Sequence, residues 1–171
     1  LQEAGIAQTR RPATFDDVMK VKAVGNPALS PDGATVIYTV RQWEPPSDKD
    51  KERLEARTRI WRVRSDGSEP ARQITFGERG DTQPQWSPDG RQILFLSLTN
   101  GTQSLKVVPA AGGSITTLVD PGVGLVTRAE WSPDARRIAY TMGTPTTAPE
   151  LYVVGASGGA RQRERHNDAQ R

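Results

Sequence analysis

The chain has 171 residues, no cysteine, 35% hydrophobic and 25% charged residues, and a formal net charge of +3. Absent cysteine excludes disulfides and thiolate metal sites, and no run approaches the roughly 18–20 apolar residues of a membrane-spanning helix. Much of the basicity lies in residues 160–171, the rest is near neutral, and no basic stripe interleaved with aromatics marks a nucleic-acid partner.

With 16 Gly and 13 Pro among charges of both signs, the composition describes a turn-rich globular chain. The head, residues 1–13, carries Gly5-Ile6-Ala7 before Gln8, the small–x–small form of a signal-peptidase site, but no apolar region ahead of it. A cleavage remnant and a plain leader both fit it. Residues 14–26 read as a short helix and lead-in. Thr14 and Asp17 form a capping-box variant, and Phe15, Val18, Met19 and Lys22 fall at helical spacing. The pattern predicts a helix over 15–22, stopped near Gly25 and Pro27, that covers an edge of the fold.

From Pro27 the chain repeats itself. "PALSPDGATVIYTV" (27–40), "PQWSPDGRQILFLS" (84–97) and "AEWSPDARRIAYTM" (129–142) align, with Pro31, Pro88 and Pro133 spaced 57 and 45 residues apart. A second block follows each: "IWRVRSDGSEPARQIT" (60–75), "LKVVPAAGGSITTL" (105–118) and "LYVVGASGGARQ" (151–162). The longer first interval is accounted for by a charged insertion, "EPPSDKDKERLEA", whose Asp48–Glu55 run reads as a solvated loop or partial helix.

Each repeat spells four short strands. Ser-Pro-Asp-Gly is a turn: Pro presets φ, Asp bonds nearby backbone and Gly suits the fourth position. Ala135 replaces that glycine in the third copy, a change that a type I turn tolerates. Asn100-Gly101 is a strong hairpin signal. In the second copy the strands are expected at 84–86, 91–97, 103–108 and 114–119. Four antiparallel strands repeating every 40–50 residues describe a β-propeller blade. The fold class expected is therefore all-β: a partial β-propeller of three four-stranded antiparallel blades (27–77, 82–122, 127–162) with a short N-terminal helix and a polar tail at 163–171. Leu29, Trp86 and Trp131, just before the Ser-Pro-Asp turns, are expected to pack between blades.

Gly155-Ala156-Ser157-Gly158-Gly159 fits G-x-S-x-G, the nucleophile elbow. The repeat answers it. Ile60 to Gly67, Leu105 to Gly112 and Leu151 to Gly158 are equal intervals, so Ser157 aligns with Asp66 and Ala111. That position holds whatever a strand connection accepts. His166, the one histidine, sits in the polar tail without an orienting partner. Asp32, Asp89 and Asp134 recur as turn residues. No metal-spaced histidine pair, Walker loop or G-x-G-x-x-G after a strand is present. No catalytic, cofactor-binding or metal-ligating residue is assigned.

The segments "TFDDVMKVKAVGNPALSPDG" and "TRIWRVRSDGSEPARQITFG", with the tandem W-S-P-D units, resemble the start of the propeller in prolyl oligopeptidase family serine peptidases, in the acylaminoacyl-peptidase and dipeptidyl-peptidase-like bacterial branch. The resemblance covers residues 11–162. It implies a propeller that restricts short peptides from reaching a downstream α/β-hydrolase domain, with no cofactor and a periplasmic or secreted location, the cytoplasm remaining open. The triad of that family has no counterpart in this chain. At "GGARQRERHNDAQR" the sequence departs from the family pattern, and its end reads as truncated. The rival is a non-enzymatic periplasmic propeller that binds partner proteins, either similar to that of the Tol system or free-standing. The Tol family places an α/β domain ahead of its propeller.

Overall fold

The computed structural model describes residues 12–45, 53–77, 80–159 and, as backbone, 162–164. One helix, α1 (Phe15–Met19), precedes β1 (Ala23–Leu29), β2 (Thr35–Glu44), β3 (Glu55–Arg64), β4 (Arg72–Gln73), β5 (Gly80–Trp86), β6 (Gln92–Thr99), β7 (Thr102–Pro109), β8 (Thr116–Val119), β9 (Leu125–Trp131), β10 (Arg137–Thr144), β11 (Thr147–Gly155) and β12 (Gln162–Glu164). Antiparallel pairing joins these strands consecutively within three sets: β1 to β4, β5 to β8 and β9 to β12. Single parallel bridges, Thr58 to Gly80 and Gln103 to Leu125, link one set to the next. The sheet does not close on itself.

The core lies between the sets, and the sequence of β6 shows why. Ile93 and Phe95 join Ile37, Ile60 and Val108 in the layer against the first set. Leu94 and Leu96, pointing the other way, join Leu105, Val126, Ile138 and Tyr140 in the layer against the third. A strand covered on both faces reads as an unbroken apolar run rather than an alternation. In β10 only alternate residues are covered: Ile138 and Tyr140 are buried while Ala139 is exposed.

The Ser-Pro-Asp turns are built alike. In each, the fourth residue donates its N–H to the serine carbonyl: Gly33 to Ser30 at 2.8 Å, Gly90 to Ser87 and Ala135 to Ser132 at 2.9 Å. The aspartate Oδ1 accepts from the serine hydroxyl and from the N–H two residues on, at 2.6 and 3.1 Å for Asp89. The serine Oγ accepts from the first strand residue, as Ser87 does from Gln92 at 2.9 Å. The fourth position is left-handed in all three copies, with φ of 71° at Gly33 and Gly90 and 56° at Ala135. The expectation that alanine is well tolerated there is corrected, because a Cβ in this region meets the following carbonyl.

Other boundaries differ from the sequence reading for local reasons. The capping box forms: Thr14 Oγ1 accepts from the Asp17 N–H, and Asp17 Oδ2 accepts from the Thr14 N–H at 2.9 Å. The helix nevertheless ends at Met19, buries none of its residues and so covers no edge. Gly25 and Pro27 do not terminate anything; they lie inside β1, where a bulge accommodates them. The hairpin of β2 and β3 stays paired as far as Glu44 with Glu55, so Glu55 is strand rather than loop. Most of the predicted insertion loop, residues 46–52, lies outside the described residues. The strand expected at 84–86 starts at Gly80, and the one expected at 114–119 is confined to Thr116–Val119. Leu29 is exposed rather than packed, because β1 ends the path of the sheet.

Candidate functional site

Ser157 sits where the repeat placed it. β11 ends at Gly155, the Gly158 N–H donates to the Gly155 carbonyl at 2.9 Å, and Gly158 has φ 86°. Gly67 with Arg64 (3.2 Å) and Gly112 with Pro109 (2.8 Å) make the same contact in the other sets. A nucleophile elbow runs from a strand into a helix; here the chain turns and pairs back as β12. His166 lies outside the described residues. Asp32, Asp89 and Asp134 are far from one another in sequence and each is engaged within its own turn. Hydroxyl donation from Ser30, Ser87 and Ser132, helped by a backbone N–H, holds their carboxyls below the usual carboxylate range. Asp66, in the β3–β4 turn, is lowered to about 2, first by the Ser68 hydroxyl, then by the Ser68 N–H and Arg64. These carboxylates are turn fasteners.

The three sets do bring one group of residues together. A groove of about 520 Å³ runs along the first strands of the sets, lined by Asn26, Pro27, Gln83, Pro84, Gln85, Thr127 and Arg128. All three of these strands carry a bulge, between Gly25 and Ala28, between Thr82 and Gln85, and at Thr127 between Val126 and Arg128. Asn26 (φ 49°) and Gln83 (φ 52°) are left-handed there. A proline has no N–H for a ladder and is confined to edges and bulges, which is where Pro27 and Pro84 stand. The third set has Arg128-Ala129 instead and no left-handed residue at that point.

The groove wall is held by carboxamides that reach between neighbouring sets. Gln85 Nε2 donates to the Ala129 carbonyl at 2.8 Å and Gln83 Nε2 to the Thr127 carbonyl at 3.5 Å. Asn26 instead stays within the first set, its Nδ2 donating to Thr39 Oγ1 at 3.4 Å. Arg128 is the one charged residue in the lining. A lining of amides, a threonine and one guanidinium offers hydrogen bonds to a polar, uncharged or anionic molecule. Among the described residues no group of three or more histidines, cysteines or carboxylates could hold a metal ion.

Sequence reasoning missed this groove, although the signal was present. Residues 26, 83 and 128 are 57 and 45 apart, the intervals that separate Pro31, Pro88 and Pro133. Equivalent positions in a repeat array line one surface.

The open stack of antiparallel sets is the fold of propellers. Solved structures of that kind superpose on it. The β-propeller domain of the trilobed protease from Pyrococcus furiosus matches with a TM-score of 0.61 at 14% identity, over 87% of this chain and 45% of that one. TolB from Acinetobacter baumannii matches at 0.61 and 21%, over 81% and 31%. Puromycin hydrolase matches at 0.63 and 25%, over 86% of this chain and 25% of that one. No family model matches the chain.

Among curated proteins, the chain is 32% identical over 108 residues to the uncharacterized peptidase YuxL of Bacillus subtilis, covering 63% of this chain and 15% of that protein. It is 36% identical over 87 residues to dipeptidyl-peptidase 5 of Porphyromonas gingivalis, covering 51% and 12%. The chain therefore spans well under a fifth of the length of either relative. These curated matches are peptidases, and the structural neighbours include propeller domains of prolyl oligopeptidase family peptidases.

Proposed function

We propose that this chain is part of the propeller of a serine exopeptidase or oligopeptidase, where it gates the access of short peptides to an α/β-hydrolase domain of the same polypeptide. The strand sets are then three successive blades, at 27–77, 82–122 and 127–162. The observation that carries the reading is the match to a peptidase over 108 residues, 63% of this chain. The groove along the first strands supports it: those strands face the axis of a propeller, and an axial passage lined by amides suits a peptide backbone. Bond cleavage belongs to the other domain. A periplasmic or secreted location goes with this proposal.

The full-length polypeptide tests it. A fluorophosphonate probe should label one serine outside residues 1–171. Arg128→Trp, which adds bulk to the groove, should lower kcat/KM for longer peptides more than for the shortest ones. Equal effects on every peptide length would remove the gating role. Absence of labelling would favour the second reading, a partner-binding propeller, for which the fold-level likeness to TolB is the supporting observation.

A further inference from the structure

The three strand sets share one plan, so a residue type found in only one of them is not demanded by that plan. The third and fourth strands of the first set hold such a departure. Arg62 of β3 stands directly opposite Arg72 of β4. The same pair of positions holds Val107 and Thr116 in the second set, and Val153 and Gln162 in the third. Like charges directly opposite each other on antiparallel strands are destabilising. The first set keeps two guanidinium groups where its repeats have apolar or neutral residues.

Register puts two more groups on the same face. Ile37 pairs with Arg62 and Thr35 with Arg64, and side chains two residues apart along a strand point the same way. Ile37 belongs to the core layer against the second set, so this face looks across to that set. Arg62 reaches it, its Nη1 donating to the Ala110 carbonyl at 3.1 Å. Thr35, Arg62, Arg64, Glu69, Pro70 and Arg72 line a pocket of about 150 Å³ at the end of the Ser-Pro-Asp turns. It shares no lining residue with the groove of the first strands.

The charges in this pocket do not cancel. Arg64 is answered by Asp66, Nη2 to Oδ2 at 3.3 Å. Arg62 and Arg72 have no ion-pair partner among the described residues, and Glu69, the one carboxylate in the lining, is paired with neither.

A guanidinium presents a planar fork of N–H donors that fits the oxygens of a phosphate or a carboxylate. Directly opposite residues have Cβ atoms about 4.5–5.5 Å apart, so the forks of Arg62 and Arg72 start close enough to hold one ion between them. A carboxylate, with two oxygens and one charge, is satisfied by a single fork. A phosphate group has at least three acceptor oxygens and a charge of about −1.5 to −2 near neutral pH, which suits two forks and a hydroxyl.

We propose that the pocket of Arg62, Arg64 and Arg72 binds a phosphate group, carried by inorganic phosphate or by a small phosphate monoester. The site does not depend on the peptidase reading.

The test titrates the full-length polypeptide calorimetrically with inorganic phosphate, phenyl phosphate and acetate at constant ionic strength. Phosphate should bind saturably and acetate about ten-fold more weakly or worse. Phenyl phosphate tighter than phosphate assigns the site to esters, and the reverse assigns it to the free ion. Arg72→Gln, at an exposed position, should weaken phosphate binding by about ten-fold or more. Glu69→Gln, which takes the carboxylate out of the lining, should tighten it several-fold. Binding unchanged in either variant, binding weakened by Glu69→Gln, or phosphate no better than acetate overturns the proposal. Glu69 is exposed in a turn, so its variant decides the matter alone if Arg72→Gln fails to fold.

Discussion

The indole Nε1 of Trp86 donates to the main-chain oxygen of Ala28 at 3.0 Å, so a side chain at the end of β5 is fastened to the first strand of the preceding set. Trp131 occupies the equivalent place in β9, packs against the second layer of the core, and its buried Nε1 has no partner. The two tryptophans lose the same volume on replacement by phenylalanine, but only one loses a hydrogen bond. Trp86→Phe should therefore cost about 1–2 kcal/mol more than Trp131→Phe, the cost of stranding a part-buried carbonyl. Urea unfolding of the paired variants measures the difference; equal losses would show that the Trp86 bond contributes nothing net.

Ala135 holds φ 56° where its two counterparts are glycine at 71°. An L-residue in that region costs about 1 kcal/mol relative to glycine. Ala135→Gly should raise stability by roughly that amount, less the extra freedom that glycine gives the unfolded chain. Gly90→Ala should lower it by a similar amount, although its Cβ would sit at an ordinary 3.7 Å from Pro31. Thermal melts of the two variants shifting the same way would contradict the turn geometry.

Much of this architecture is legible in the sequence because its devices are local. Ser-Pro-Asp closes a turn with its own side chains, Asn100-Gly101 takes the left-handed pair of φ values that a tight hairpin needs (49° and 81°), and Thr14 with Asp17 caps a helix within four residues. What the sequence hides depends on more distant parts of the chain. Pro27 looks like a breaker until the bulge at Asn26 gives it a place without a ladder bond. The hairpin of β2 and β3 extends through charged residues because Glu44 meets Arg59 at 3.5 Å and Arg57 at 4.0 Å across the strands. The groove requires three residues from three repeats, so no single window of sequence contains it.

Acid should loosen the turns. The carboxyls of Asp32, Asp66, Asp89 and Asp134 all titrate below their ordinary value in the folded chain. Folding thus favours the ionised form. Their contribution is complete above the unfolded value near 4 and is lost as pH falls through the folded values. Asp66 is the most displaced, and its carboxyl should titrate with a midpoint of about 2 by NMR. Ser68→Ala, which removes the first of its donors, should move that midpoint up towards 3.8. A midpoint already at the ordinary value in the parent sequence would mean that the Ser68 hydroxyl does not face the carboxylate in solution.

The 171 residues taken alone should associate. Trp86 is covered by the first set and Trp131 packs on the second layer of the core, but Leu29, the third member of the series, is 59% exposed at the end of the sheet path. In a closed ring the corresponding face meets another blade; in an open stack it is left for whatever apolar surface is at hand, and unpaired strand edges add to the tendency. Sedimentation velocity should show species larger than a monomer, and Leu29→Lys should shift the distribution towards the monomer by placing a charge on that face. A monomeric parent chain with one sharp calorimetric transition would show that three sets suffice for a stable unit. In that case the exposed leucine is simply tolerated.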